Sequence, residues 1–96
     1  MPLVFEWAAH KAKANFQKHR VSFDEACSVF DDPLAMIFPD EDHSLEEARE
    51  IILGHSILRR LVIVCFTERS KDRVRIFSAR RATRLEQKDY EEHCQG

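Results

Sequence analysis

Glycine is nearly missing from this chain. There are two in 96 residues, Gly54 and Gly96. That excludes the glycine-rich loops that bring backbone amides onto a nucleotide phosphate. Cysteine is sparse too. Cys27, Cys65 and Cys94 stand far apart, without metal-ligand spacing. An odd number of separated thiols points to a reducing compartment, the cytoplasm, rather than to a disulfide framework. Cys27 and Cys65 lie in apolar surroundings and read as buried thiols. His43 and His55 have no second His or Cys at ligand distance, so no metal site is expected. The longest apolar run, Leu61-Val-Ile-Val-Cys-Phe66, is six residues, against the roughly 18 that cross a bilayer. A strand-like segment begins within three residues of the N-terminus, so no signal peptide is expected. No serine nucleophile motif and no paired catalytic carboxylates are present.

What is there suits a globular fold: 44% hydrophobic and 33% charged residues. Length and composition fit one domain over residues 1–96. The net charge of −2 hides an asymmetry. Residues 1–56 hold five Lys/Arg against eleven Asp/Glu, a net of −6, while residues 57–96 hold ten against six, a net of +4. A protein so divided can offer an anion one face, but it is not a strong non-specific polyanion binder.

The pattern predicts a short strand at Leu3–Trp7, then an Ala/Lys-rich helix from Ala8 to His19. On that helix Ala9, Ala12 and Phe16 share one face, and Lys11, Asn15 and Lys18/His19 share another. Ser22-Phe-Asp-Glu25 is a capping box that opens a second helix, about Phe23 to Phe30, with Ala26, Val29 and Phe30 toward the core. Asp31-Asp32-Pro33 ends it. Strands are predicted at Leu34–Phe38, Ala48–Ser56, Leu61–Thr67 and Arg73–Ala79. An acidic loop, Pro39–Ser44, follows the first of these, and a turn at Ser70–Asp72 precedes the last. The strand at 61–67 is apolar on both faces and should lie centrally, covered on both sides. Thr83-Arg-Leu-Glu86 is a second capping box, opening a final helix from about Arg84 to His93. That helix is thin in apolar residues, so it should bury little. The order β-α-α-β-β-β-β-α predicts an α+β fold with a mostly antiparallel four- to five-stranded sheet.

The residues that could carry chemistry gather late in the chain. Arg80 and Arg81 end a strand beside a helix start, where free amides and the dipole favour anions. Guanidinium forks match phosphate. The alternative is a pair of surface arginines, or an ion pair with Glu86. Arg69 ends the central strand after Glu68. A hairpin between the last two strands would set it toward the opposite end of the sheet from Arg80. On the first helix, Lys11 can bind phosphate and His19 can move a proton, unless that face is merely solvated. Tyr90, one turn after Glu86, either contacts substrate or anchors its helix. Arg73 and Arg75 read as ordinary strand residues.

A set of residues along the whole chain then resembles a known family. They include Phe5-Glu-Trp7, Lys11-Ala12, Asn15, Lys18-His19, Val21-Ser-Phe-Asp-Glu-Ala26, Val29-Phe-Asp-Asp-Pro33, Arg49, Gly54, Arg60-Leu61, Thr67-Glu-Arg69, Ser78-Ala-Arg80-Arg81-Ala-Thr83, Glu86 and Tyr90-Glu91. The combination is similar to the BrnT toxins. The resemblance implies a ribonuclease toxin of a bacterial type II toxin–antitoxin pair, RelE-like in fold, cutting RNA without metal or cofactor. It implies a ribbon-helix-helix antitoxin as partner, and a toxin homodimer within a heterotetramer. Carried over by position, the site falls on Lys11, His19, Arg69 and Arg80, with Tyr90 a further candidate. The chain departs from the family pattern at Ala8, where Asp is usual, and at Arg20 and Arg59, where Gly is usual. The rival reading is a catalytically inactive binding module whose arginines grip an acidic partner or the antitoxin. DNA recognition by this chain alone is disfavoured, since no helix carries a dense basic face.

Overall fold

The computed structural model describes residues 3–40 and 48–95, with side chains to residue 92. The acidic loop beyond Asp40, His43 included, lies outside the described residues. The elements are β1 (Val4–Glu6), α1 (Ala9–His19), α2 (Phe23–Val29), β2 (Met36–Pro39), β3 (Glu50–His55), β4 (Leu61–Ser70), β5 (Arg73–Arg81) and α3 (Arg84–Gln95). The order matches the sequence reading. The strands join one sheet in the order β1-β5-β4-β3-β2, which puts the apolar β4 at its centre.

One expectation needs correction. The sheet is mixed, not mostly antiparallel, because β1 pairs parallel with β5. Strands β2 to β5 form the expected antiparallel meander. β1 and β5 lie at opposite ends of the chain and no hairpin joins them, so the direction of β1 is free of that constraint. Glu6 meets Arg75 in this register, with an ion pair of 3.6 Å.

The two faces of the sheet differ. Under α1 and α2, Val21, Phe23, Ala26 and Val29 close on Ile52, Val62, Val64, Phe66, Val74, Ile76 and Ala79, all buried. Aromatic edges seal this layer: Phe30 meets Phe5 at 5.1 Å and Phe66 at 5.0 Å, and Trp7 meets Phe23 at 5.6 Å. On the other face α3 covers only part of the sheet. Tyr90 packs on Leu53, Leu61 and Ile63, so α3 is held by one aromatic while its Leu85 stays exposed.

Helix α1 buries a polar residue rather than its aromatic one. Phe16 is 45% exposed, and the buried residue is Asn15. The reason is the short β1, which pairs only with residues 73–75 and leaves the rest of β5 with a bare edge. Asn15 fills that edge. Its amide donates to the carbonyl of Ala79 at 2.8 Å and to that of Val21 at 2.9 Å, and its oxygen accepts the Ala79 N–H at 3.1 Å. A helix laid along a strand edge can send side chains to both faces of the sheet. Lys11 and His19, one turn to either side of Asn15, thereby reach the open face.

Asp32 ends α2 and ties three elements together. Its carboxylate accepts the N–H groups of Leu34 at 2.9 Å and His55 at 2.8 Å, and the Tyr90 hydroxyl at 3.0 Å. Burial alone would raise its pKa, but these hydrogen bonds lower it. Gly54 permits the approach. A Cβ there would stand 2.9 Å from Ala35 Cβ and 3.0 Å from Asp32 Oδ2.

Candidate active site

The open face of the sheet carries a cavity of about 380 Å³, lined by Lys11, Asp40, Arg49, Ile51, Ile63, Cys65, Phe77, Ser78 and Arg80. Its floor is the part of β3 and β4 that α3 leaves uncovered, and its rim holds three cations. A second groove runs from it along α1, lined by Lys11, Ala14, Asn15, Lys18, His19, Phe77 and Ser78. The two share Lys11, Phe77 and Ser78.

A β-bulge makes this arrangement. The β4–β5 register slips between Cys65 and Phe66: Cys65 faces Ser78, but Phe66 faces Ile76. Phe77 is the extra residue. Before it, Val74 and Ile76 point to the α1/α2 core; after it, Ala79 does. The slip turns Ser78 and Arg80 to the open face, which unbroken alternation from Ile76 would have given to Phe77, Ala79 and Arg81. Bulges recur beside active sites because they re-aim side chains in this way.

Arg80 is held firmly. Its two terminal nitrogens donate to the two carboxylate oxygens of Glu86, both at 2.9 Å. Glu86 Oε1 also accepts the Thr83 N–H at 2.8 Å, and Thr83 Oγ1 accepts the Glu86 N–H at 3.2 Å. The capping box is therefore complete, and its glutamate positions Arg80 as well. The Arg80 guanidinium and the cap hold the Glu86 carboxyl down at about 2, against the desolvation that opposes it. The pair is partly exposed, and Arg80 also lines the cavity.

Cys65 is in the cavity wall. Its thiol donates to Asp40 Oδ2 at 3.3 Å, and burial together with that carboxylate pushes it up to about 12. It is a poor nucleophile at neutral pH.

Lys11 and Arg80 thus line one cavity, and His19 lines the adjoining groove. The structure does not bring Arg69 or Tyr90 to them. Arg69 is exposed at the far end of β4, six residues from Ile63, the partner of Arg80. That is about 20 Å along the strand. The β4–β5 ladder runs from the Val62–Arg81 pair to the Ser70–Arg73 pair, with Arg80 near one end and Arg69 near the other. Among the described residues no ion pair includes Arg69 or Glu68. Tyr90 is 3% exposed; its hydroxyl donates to Asp32, and its ring meets His55 edge-on at 5.3 Å. Arg81 turns to the opposite face, toward Glu25. Of the other lining residues, Arg49 entered the sequence reading only through the resemblance, and Phe77 did not enter it at all. The spare residue between Ile76 and Ser78 was the only signal for Phe77, and it shows only once β4 and β5 are aligned. Among the described residues, no group of three or more His, Cys, Asp or Glu side chains is placed to hold a metal ion. No helix among them is long and apolar enough to cross a membrane.

Comparison with known proteins bears on this cavity. The family model described as "Ribonuclease toxin, BrnT, of type II toxin-antitoxin system" matches residues 7–86. The chain belongs to the BrnT family. That span includes Lys11, His19, Arg49, the bulge at Phe77, Arg80 and Glu86. The family is one of ribonuclease toxins, each defined with an antitoxin partner. Among solved structures the chain is similar to the Brucella abortus ribonuclease toxin BrnT, with a TM-score of 0.64 and 20% identity over 88% of this chain and 99% of that one. At that identity the likeness shows the fold. No protein of curated function matches the sequence.

Proposed function

We propose that this BrnT-family chain cuts RNA by internal transesterification, without a metal ion, at the cavity between Lys11 and Arg80. The observation that carries the reading is the convergence of Lys11 and Arg80 on one open cavity with an apolar floor, inside the span that matches the family. The scissile phosphate sits between the two cations. The neighbouring ribose lies over Ser78, toward His19 in the adjoining groove. The 2′-oxygen bonds to phosphorus, the bond from phosphorus to the 5′-oxygen breaks, and His19 takes the 2′-hydroxyl proton. The departing 5′-oxygen takes a proton from solvent. The products are a 2′,3′-cyclic phosphate and a 5′-hydroxyl. Arg80 and Lys11 stabilise the extra negative charge on the phosphorane-like transition state. Glu86 keeps the Arg80 guanidinium in place, so little reorganisation is needed as charge develops. Arg69 and Tyr90 have no part in this step. In the cell the chain acts on translation and is neutralised by a ribbon-helix-helix antitoxin, in a heterotetramer built on a toxin homodimer.

RNA cleavage by the purified protein in EDTA tests the reading. Arg80→Ala should lower the rate about 100-fold, as removal of single oxyanion-stabilising donors does. Equal cleavage by Arg80→Ala, or loss of cleavage in EDTA, sinks the mechanism.

One observation favours a rival. Arg80 already has a carboxylate on both terminal nitrogens, as in a purely structural ion pair. In that reading the chain is a binding module without catalysis. Expression in bacteria separates the two: growth arrest abolished by Arg80→Ala supports the nuclease, and harmless expression with retained antitoxin binding supports the module.

A further inference from the structure

The cavity's third cation, Arg49, is held differently from the other two. It lies just before β3, and its guanidinium carbon is 3.9 Å from the centroid of the Phe77 ring. Lys11 Nζ lies 5.3 Å from the same centroid. An aromatic face attracts a cation through its quadrupole. Two cations drawn to one ring also repel each other, and an anion beside them relieves that repulsion. Asp40 is the carboxylate in the wall; it accepts the Cys65 thiol, its N–H donates to the Arg49 carbonyl at 2.9 Å, and one carboxylate against the two cations on the ring leaves a surplus of positive charge. Among the described residues no ion pair includes Arg49. Its Nε is buried with no hydrogen-bond partner. A donor kept from water in this way is costly, and such groups call for a functional explanation.

Placement separates Arg49 from Arg80. The Arg80 guanidinium is fixed on Glu86, beyond the end of β5, while that of Arg49 is fixed on Phe77. Phe77 and Arg80 are three residues apart, about 10 Å along the strand. The two guanidinium groups are thus anchored at different points along β5, so Arg80 can stay with the scissile phosphate while Arg49 meets a second phosphate of the same RNA strand.

We infer that Arg49 is a substrate-binding residue that grips the phosphate next to the scissile one, with Phe77 as the positioning residue that aims it. The inference rests on the reading of the cavity as an RNA site. It makes the bulge serve two ends: it turns Arg80 to the open face and supplies the ring beneath Arg49.

The test is a binding titration with a single-stranded 2′-O-methyl oligonucleotide, whose blocked hydroxyls cannot attack, repeated over a range of salt concentrations. Arg49→Gln should weaken binding about tenfold, the loss of one charge-assisted contact. The slope of log affinity against log salt should fall by about 0.7, the value for one phosphate of a single strand. Phe77→Leu should weaken binding in the same direction with Arg49 still present, and Phe77→Tyr should restore it. With cleavable RNA, Arg49→Gln should raise KM and leave kcat within about twofold, the mark of uniform binding. A misfolded variant would change melting temperature, but an intact variant with an unchanged salt slope and KM overturns the role of Arg49. If the wild type binds the oligonucleotide yet cuts no RNA, the nuclease reading fails and Arg49 stands on its slope. If the wild type binds no RNA, both fail.

Discussion

Helices α2 and α3 begin with the same four-residue pattern, a hydroxyl residue and then a glutamate three positions on, and each glutamate ends on an arginine. The outcomes differ. At α3, Glu86 returns to the Thr83 N–H and also holds Arg80, half exposed at the cavity rim. At α2, Ser22 accepts the Glu25 N–H as expected, at 3.0 Å, but Glu25 does not reach back. Its carboxylate is buried, takes the Ser56 hydroxyl at 2.6 Å and meets the Arg60 guanidinium through Nε at 2.9 Å and through Nη2. Arg60 Nη2 also donates to the Arg20 carbonyl at 3.0 Å. Glu25 thus fastens α2 to the β3–β4 turn. One motif yields a latch in the core and a brace at the cavity, and depth decides which. A buried carboxylate must be matched by charge, whereas one at the surface is free to serve a neighbour that faces solvent.

The sharpest way to break this comparison is to remove each glutamate in turn. Glu25→Ala leaves Arg60 without its partner and Ser56 without an acceptor in a site where the carboxylate side chain is 5% exposed. Breaking a buried pair of this kind costs about 3 kcal/mol or more. Glu86→Ala removes a partly exposed pair and one side of a cap, about 1 kcal/mol in all. Urea denaturation of both variants measures the difference. Equal losses would show that the two starts are energetically alike and that burial is not what separates them.

Acid sharpens it further. Arg80 and the Thr83 cap hold the Glu86 carboxyl at about 2, below its ordinary 4.5. A carboxyl lowered on folding stabilises the folded state fully above its unfolded value, and that contribution is lost as pH falls toward the folded one. Glu86→Gln should therefore flatten the decline in stability between about pH 4.5 and 2 without abolishing it, since Glu25 and Asp32 are also lowered. A Glu86→Gln protein whose acid limb overlays the wild type would mean that the Arg80–Glu86 pair contributes nothing in solution. Arg80 would then be free for substrate without competition.

Local pattern made most of the elements legible. The two capping boxes, the Asp31-Asp32-Pro33 stop and the doubly apolar run of β4 are local signals, and each landed within a residue or three. The parallel pairing of β1 was not legible, because nothing near Val4 records where β5 will lie. Periodicity grouped Phe16 with Ala9 and Ala12 but did not show its exposure, because the bare edge of β5 takes the amide of Asn15 instead. In the site, Lys11, His19 and Arg80 stood out as charges on defined elements. Arg49 did not, since its partner is an aromatic ring displaced by a bulge between two distant strands. Hairpin geometry alone set Arg69 toward the opposite end of the sheet from Arg80, and the register gives the separation its length.

The arginines flanking the buried latch offer the smallest effect and a fine test of how it is built. Arg20 and Arg59 are the described non-glycine residues with positive φ, at 58° and 63°. Arg20 closes α1 in the left-handed conformation, with its N–H donating to the Phe16 carbonyl at 2.9 Å. Arg59 closes the turn after β3, donating to the Ser56 carbonyl at 2.9 Å. Both are exposed, and both are positions where the resemblance leads one to expect glycine. The turns matter because they aim Arg60: Arg20 offers it a carbonyl, and Arg59 is its neighbour in the chain. Glycine keeps the same backbone path without the Cβ clash, though it gives up unfolded-state restriction and, at position 20, a guanidinium 5.8 Å from the Phe16 ring. Relief of left-handed strain is worth about 1 kcal/mol, so Arg59→Gly, with no such contact to lose among the described residues, should stabilise the protein by about 0.5–1 kcal/mol. Arg20→Gly should gain less. Thermal unfolding reads both. If Arg59→Gly is destabilising, the arginine side chain contributes to the latch in its own right, and the turn is more than a backbone device for presenting Arg60 to Glu25.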